Sequence, residues 1–187
     1  HGGNVVTDEK AEGQGSLLVR DASEQQNVGA SYQLPVALPE KGLKITFKHK
    51  TDQARKFLFS MNYLKADGAW MPGCNTDIAI EGKPEWHTFE TVQTAFPKEA
   101  VSCRFTIWAA GYQEPGTATG SLWVDGLKVS DVASDKELVE GGAFEPVDIN
   151  AVNPVFDWKS WDAAMERAFR EYRFNSFSMR VEGLGGG

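Results

Sequence analysis

The sequence has no apolar run approaching the roughly 18 to 20 residues a membrane-spanning helix needs, and its opening, His1-Gly2-Gly3-Asn4, is not a signal peptide. The expectation is either a cytosolic chain or one whose signal has been removed. No basic cluster is present: 19 Lys+Arg face 26 Asp+Glu, a net charge of −7. That balance argues against nucleic acid and anionic membrane as partners, and for a neutral polar ligand. With only Cys74 and Cys103 there is no disulfide framework, and the CxxC spacing of a zinc site is missing. The two cysteines can pair, or Cys103 can be a buried thiol on a strand. GxSxG, the P-loop, the dinucleotide fingerprint and HExxH are all absent, so those routes to catalysis are closed.

What is present is an ordinary soluble composition, 41% hydrophobic and 24% charged, which predicts a packed core and excludes disorder, collagen and coiled coil. A length of 187 residues allows one domain and part of another. From 15 to 129 apolar residues recur with period two, broken by turn residues about every ten positions, the pattern of an antiparallel sandwich or barrel. Strands are expected at 16–20, 30–34, 43–49, 56–64, 86–95, 101–108 and 121–129. The clearest is 43–49, where Leu43, Ile45, Phe47 and His49 point one way and Lys44, Thr46 and Lys48 the other. In 101–108 the core side is Val101, Cys103, Phe105 and Ile107, which places Arg104, Thr106 and Trp108 on the opposite face.

After 129 the pattern changes. Residues 133–152 are acidic, carry Gly141-Gly142 and have no sustained period, so they read as a linker or a loop draped on the domain. A helix follows, capped by Asp157 or Ser160, with Trp161, Ala164, Met165, Ala168 and Tyr172 on one face. Beyond it 174–181 alternates as a strand and leads to a glycine-rich end. Helix then strand is an α/β rhythm, distinct from the sandwich before it. The expected organisation is a sandwich at 1–132, a linker at 133–152 and the start of a β/α barrel at 153–187.

Binding of a sugar at a sandwich surface needs flat apolar faces for the C–H side of the ring and planar polar groups for its hydroxyls. Trp70 lies in the loop Asp67-Gly68-Ala69-Trp70, where no strand hides it, Trp108 faces away from the core, and Tyr112 follows in the next loop. These three are the candidate stacking residues, with Arg104, Asn62 and Gln113 as hydrogen-bonding partners. Trp86 and Trp123 are assigned to packing. Asp125, in Asp125-Gly126, could join loop carbonyls around a structural calcium; the alternative is a turn aspartate. His1, His49 and His87 invite a copper reading, but His49 reads as core-facing and His87 as an ordinary strand residue. Glu182 stands where barrel enzymes place functional groups, although salt bridging or simple solvation is the plainer account.

The segments Gly15-Ser16-Leu17-Leu18-Val19, Tyr32-Gln33-Leu34-Pro35-Val36, Leu43-Lys44-Ile45-Thr46-Phe47-Lys48, Trp86-His87-Thr88-Phe89 and Ser121-Leu122-Trp123-Val124-Asp125-Gly126-Leu127-Lys128-Val129 resemble, in that order, the galactose-binding-like jelly roll of family 4/9-type carbohydrate-binding modules. The family's opening strand, with its Asn-Gly and Phe-Glu signature, is missing. The tail, from Asn153-Pro154-Val155-Phe156-Asp157-Trp158 through Ala164-Met165-Glu166-Arg167-Ala168 to Gly183-Leu184-Gly185-Gly186-Gly187, resembles the opening of the catalytic barrel in relatives of glycoside hydrolase family 123. The resemblance implies a mainly β protein, an antiparallel β-sandwich (jelly roll) with a C-terminal helix-strand extension. It also implies a secreted, periplasmic or cell-surface glycan-binding domain with an oligosaccharide or polysaccharide and the rest of a glycosidase barrel as partners. Two alternatives accompany it: a support domain with no ligand, or a part of an active N-acetylhexosaminidase-type hydrolase whose acidic pair lies beyond Gly187. No catalytic residue is carried over to this chain.

Overall fold

Side chains alternate across a pleated strand, so a strand with one face in the core buries every second residue. β4 (Leu43–Thr51) does so along its whole length: Leu43, Ile45, Phe47, His49 and Thr51 are buried and the residues between them are half-buried. The computed structural model describes residues 3–23, 27–110, 119–139 and 142–144. Among these, the further strands are β1 (Gly3–Val6), β2 (Ser16–Asp21), β3 (Gly29–Gln33), β5 (Arg55–Leu64), β6 (Thr76–Gly82), β7 (His87–Gln93), β8 (Ser102–Trp108) and β9 (Gly120–Asp131). They form a five-stranded sheet, β1-β2-β9-β4-β7, and a four-stranded sheet, β3-β8-β5-β6, with every pairing antiparallel. No described residue is helical. Among the described residues no helix is long and apolar enough to cross a membrane.

All the strands expected from period two are present. Two were not foreseen, β1 and β6, and both are sheet edges. An edge strand is paired on one side only and shares less of the core, so it needs no regular apolar alternation; β1 is exposed along most of its length.

The two sheets are joined by a cluster of aromatic rings. Phe47 lies 4.9 Å from Phe89 and 5.7 Å from Phe59, and Phe59 lies 5.9 Å from both Phe89 and Phe105, centroid to centroid. Each fully buried phenylalanine contributes about 1.5–3 kcal/mol of transfer free energy, so this cluster fixes how one sheet sits on the other. Tyr63, next to last in β5, is buried, its hydroxyl 2.9 Å from Thr76 Oγ1. His49 is core-facing as expected, and burial pushes its pKa down to about 4. Both cysteines are free thiols. Of the two cysteine readings, the buried one therefore holds, and burial pushes the Cys103 thiol up to about 12.

Beyond β9 the chain turns back. Ser130 bridges Glu137, the Leu138 N–H donates to the Val129 carbonyl at 2.7 Å, and the Leu127 N–H donates to the Gly142 carbonyl at 2.8 Å. Val139 enters the core. The described part of segment 133–152 is thus hydrogen-bonded along β9. Contacts divide the chain into His1–Pro146 and Val147–Gly187, and only the first contains described residues. The expected helix, the strand at 174–181 and Glu182 lie outside them.

Candidate ligand-binding face

Strand register decides which side chains meet on a sheet face. In the four-stranded sheet Ala30, Tyr32, Phe57, Phe59, Met61, Cys103, Phe105 and Ile107 pack into the core, so the residues between them face outward. Pairing aligns these in rows across the strands. Gly29, Trp108, Leu58 and Ala79 form the first row, Ser31, Thr106, Ser60 and Asp77 the second, Gln33, Arg104 and Asn62 the third, and Ser102 with Leu64 the fourth. An isolated bridge from Leu64 to Trp70 extends the fourth row. Read along the strands, the face runs apolar, polar, polar, apolar, with an indole in each apolar row. From Leu58 to Leu64 a strand covers about 20 Å.

The two tryptophans are held differently. Trp108 is partly exposed and lies across β3 where β3 has a glycine: a Cβ on Gly29 would fall 2.8 Å from Trp108 Cε3. No other residue at position 29 would let the indole lie there. Trp70 is 50% exposed, and its Nε1–H donates to Asn75 Oδ1 at 2.9 Å, which orients the ring from one edge.

Between them the floor is polar and fixed. Ser60 and Thr106 are buried although they face away from the core. Thr106 Oγ1 is 3.0 Å from Ser31 Oγ and accepts from Asn62 Nδ2 at 3.3 Å. Arg104 is exposed, and its Nη2 donates to Gln33 Oε1 at 3.5 Å. No carboxylate among the described residues pairs with it.

The structure therefore places Trp108, Arg104 and Asn62 on one face and Trp70 at its end. Tyr112 and Gln113 lie outside the described residues. Thr106 was expected on this face though not as a site residue; Ser31, Gln33, Ser60 and Asn75 belong to it as well and were not foreseen, because small polar residues on a strand look the same whether they face a ligand or bulk water. The usable signal was the register with Arg104 and Trp108.

Asp125 lies elsewhere, fully buried in β9. Its Oδ2 accepts the N–H groups of Ala11 and Glu12, both at 2.9 Å, and its Oδ1 accepts the N–H of Gly126 at 2.7 Å. A calcium site needs six to eight oxygen lone pairs turned inward, whereas here peptide hydrogens converge on the carboxylate. The nearby carboxylates are also engaged, Glu12 with Lys48 at 2.6 Å and Glu9 with Lys50. The Lys48 ammonium holds the Glu12 carboxyl below its usual range. Among the described residues no group of three or more His, Cys, Asp or Glu could hold a metal. This donor set does not fit calcium; Asp125 instead pins the 7–15 loop to β9.

No protein-family model matches the sequence, and no curated protein sequence matches it. Solved structures do match in fold. A family 30 carbohydrate-binding module superposes with a TM-score of 0.51 at 11% identity, over 81% of this chain and 82% of that one. The CBM22-1 xylan-binding domain from Paenibacillus barcinonensis gives 0.50 at 11% identity, over 73% and 80%. The enzymatically active domain of tailspike protein 4 from bacteriophage CBA120 gives 0.53 at 11% identity, over 69% of this chain but only 18% of that one. What they share with this chain is the β-sandwich fold.

Proposed function

We propose that this chain is a glycan-binding domain from a glycoside hydrolase, and that an oligosaccharide lies along the strands of the four-stranded sheet. One observation carries the reading: an outward face about 20 Å long on which two indoles bracket rows of hydroxyl, amide and guanidinium groups. Indole faces suit the C–H side of a pyranose, and the amides of Gln33 and Asn62 with the Arg104 guanidinium offer planar donors to its hydroxyls. The span suits a short run of linked sugars better than one monosaccharide. Carbohydrate-binding modules with the same fold, one of them named for xylan, support this reading. The place in a hydrolase rests on the resemblance of 153–187 to a family 123 barrel opening. A polymeric glycan ligand goes with a secreted or surface location.

A glycan array followed by affinity electrophoresis on the retained polysaccharides tests the proposal. Retention of the wild-type chain and its loss in Trp108→Ala, with the sandwich still folded by circular dichroism, is the expected result. Equal mobility of both proteins in every polysaccharide would refute it and leave the sandwich a support domain.

A further inference from the structure

A cavity opens on the inner side of the same sheet. About 570 Å³ lies between the two sheets where the edge strands β1 and β3 face each other, a volume within the usual range for small-molecule pockets. Its walls are apolar, formed by Leu17, Tyr32, Phe59, Phe105, Leu127 and Phe144. A sandwich interior is normally filled by its own side chains at near-crystalline density, so apolar walls around a space of this size offer a ligand many dispersion contacts. At the rim, across edge strand β3, stand Ser31, Gln33 and Arg104. Among the described lining residues Arg104 is the charged one, it pairs with no described carboxylate, and its 3.5 Å contact with Gln33 is at the limit of a hydrogen bond.

We propose that this cavity is a second binding site, for an amphipathic carboxylate such as a medium- or long-chain fatty acid. The hydrocarbon chain lies between the sheets, and the carboxylate meets the Arg104 guanidinium at the rim. Apolar walls select a hydrocarbon body, and a guanidinium fork matches a carboxylate geometrically and electrostatically. The site does not rest on the glycan reading, because its apolar walls belong to the inward faces; Ser31, Gln33 and Arg104 border both.

The test is a fluorescence titration of the purified chain with cis-parinaric acid, then displacement by dodecanoate and by dodecanol. Saturable binding is expected, with dodecanoate displacing the probe at concentrations at least tenfold lower than dodecanol. Arg104→Gln should remove that preference for the acid. Ala30→Leu, which adds bulk to a cavity-lining position, should weaken both ligands, and a cooperative thermal transition establishes that this variant is folded. Dodecanoate should also raise the melting temperature of the wild-type chain. Absence of saturable binding by the folded protein overturns the proposal. So does equal displacement by acid and alcohol, or an acid preference that survives Arg104→Gln. Glycan retention is read separately, so either site can fail while the other stands.

Discussion

The two sheets have the same inner face and opposite outer faces. Outside the five-stranded sheet, charge is neutralised in place: Lys44 pairs with Glu90 at 3.0 Å, Lys48 with Glu12 and Lys50 with Glu9, and Lys50 also sits 5.8 Å from the Trp123 ring centroid. The loop 7–15 is drawn onto this face by those pairs and by Asp125. Outside the four-stranded sheet Lys56 pairs with Glu81, and the centre is hydroxyl, amide, indole and the Arg104 guanidinium, which meets Gln33 and, among the described residues, no carboxylate. One face joins its lysines to carboxylates; the other joins neutral hydroxyls and amides to one another and leaves Arg104 exposed. Trp123 and Trp108 show the difference at the level of one residue type, since the first lies under a lysine ammonium and the second lies on a glycine.

The comparison can be broken in order of effect. Phe59→Ala removes the ring that touches Phe47, Phe89 and Phe105, serves both faces alike, and should cost about 3–5 kcal/mol in urea unfolding. A loss below about 1 kcal/mol would mean that the sheets are not held together by this cluster. Next is acid sensitivity. His49 titrates near 6.5 when unfolded and at about 4 when folded, so the fold favours its neutral form. That contribution is complete above about pH 6.5 and is lost as the pH falls toward 4, about 3 kcal/mol in all. His49→Leu should flatten this part of the stability–pH curve, measured by denaturant midpoints between pH 7 and pH 4.

Asp125→Ala leaves three peptide N–H groups without their acceptor and should cost about 2–3 kcal/mol. A chelator should leave the wild-type melting temperature unchanged; a fall on adding EDTA, restored by calcium, would reinstate the metal reading. On the open face the effect moves from stability to binding. Trp108→Ala should weaken glycan affinity by about 2 kcal/mol, roughly thirtyfold, read by isothermal titration with the best polysaccharide from the array. Smallest is Lys44→Ala: its pair with Glu90 is exposed on both sides, and pairs of this kind contribute about 0–1 kcal/mol. Its urea midpoint should be nearly unchanged and its glycan affinity identical to wild type.

The central strands were legible because burial on one side imposes alternation: Leu43, Ile45, Phe47 and His49 could be assigned to the core without coordinates. The outward placement of Trp108 and Arg104 followed from the same rule applied to β8. β1, exposed along most of its length, escaped it; β6 alternates through Ile78 and Ile80 over too short a stretch to have been foreseen. Asp125 was ambiguous for a different reason, since an aspartate that accepts three peptide N–H groups and one that binds a metal look identical in sequence. Two of the three donors come from Ala11 and Glu12, more than a hundred positions away.

Sequence alone determined the class of fold, the inward residues of the central strands and the identity of two outward tryptophans, because periodicity is a local property that needs only neighbours two residues apart. Tertiary structure decided which rows those residues join, that Gly29 receives the Trp108 ring, that Lys48 and Lys50 neutralise Glu12 and Glu9, and that a cavity opens beside Arg104. Each of these depends on the pairing of segments far apart in the chain, and pairing register is fixed by the packing of the whole sandwich rather than by any stretch within it.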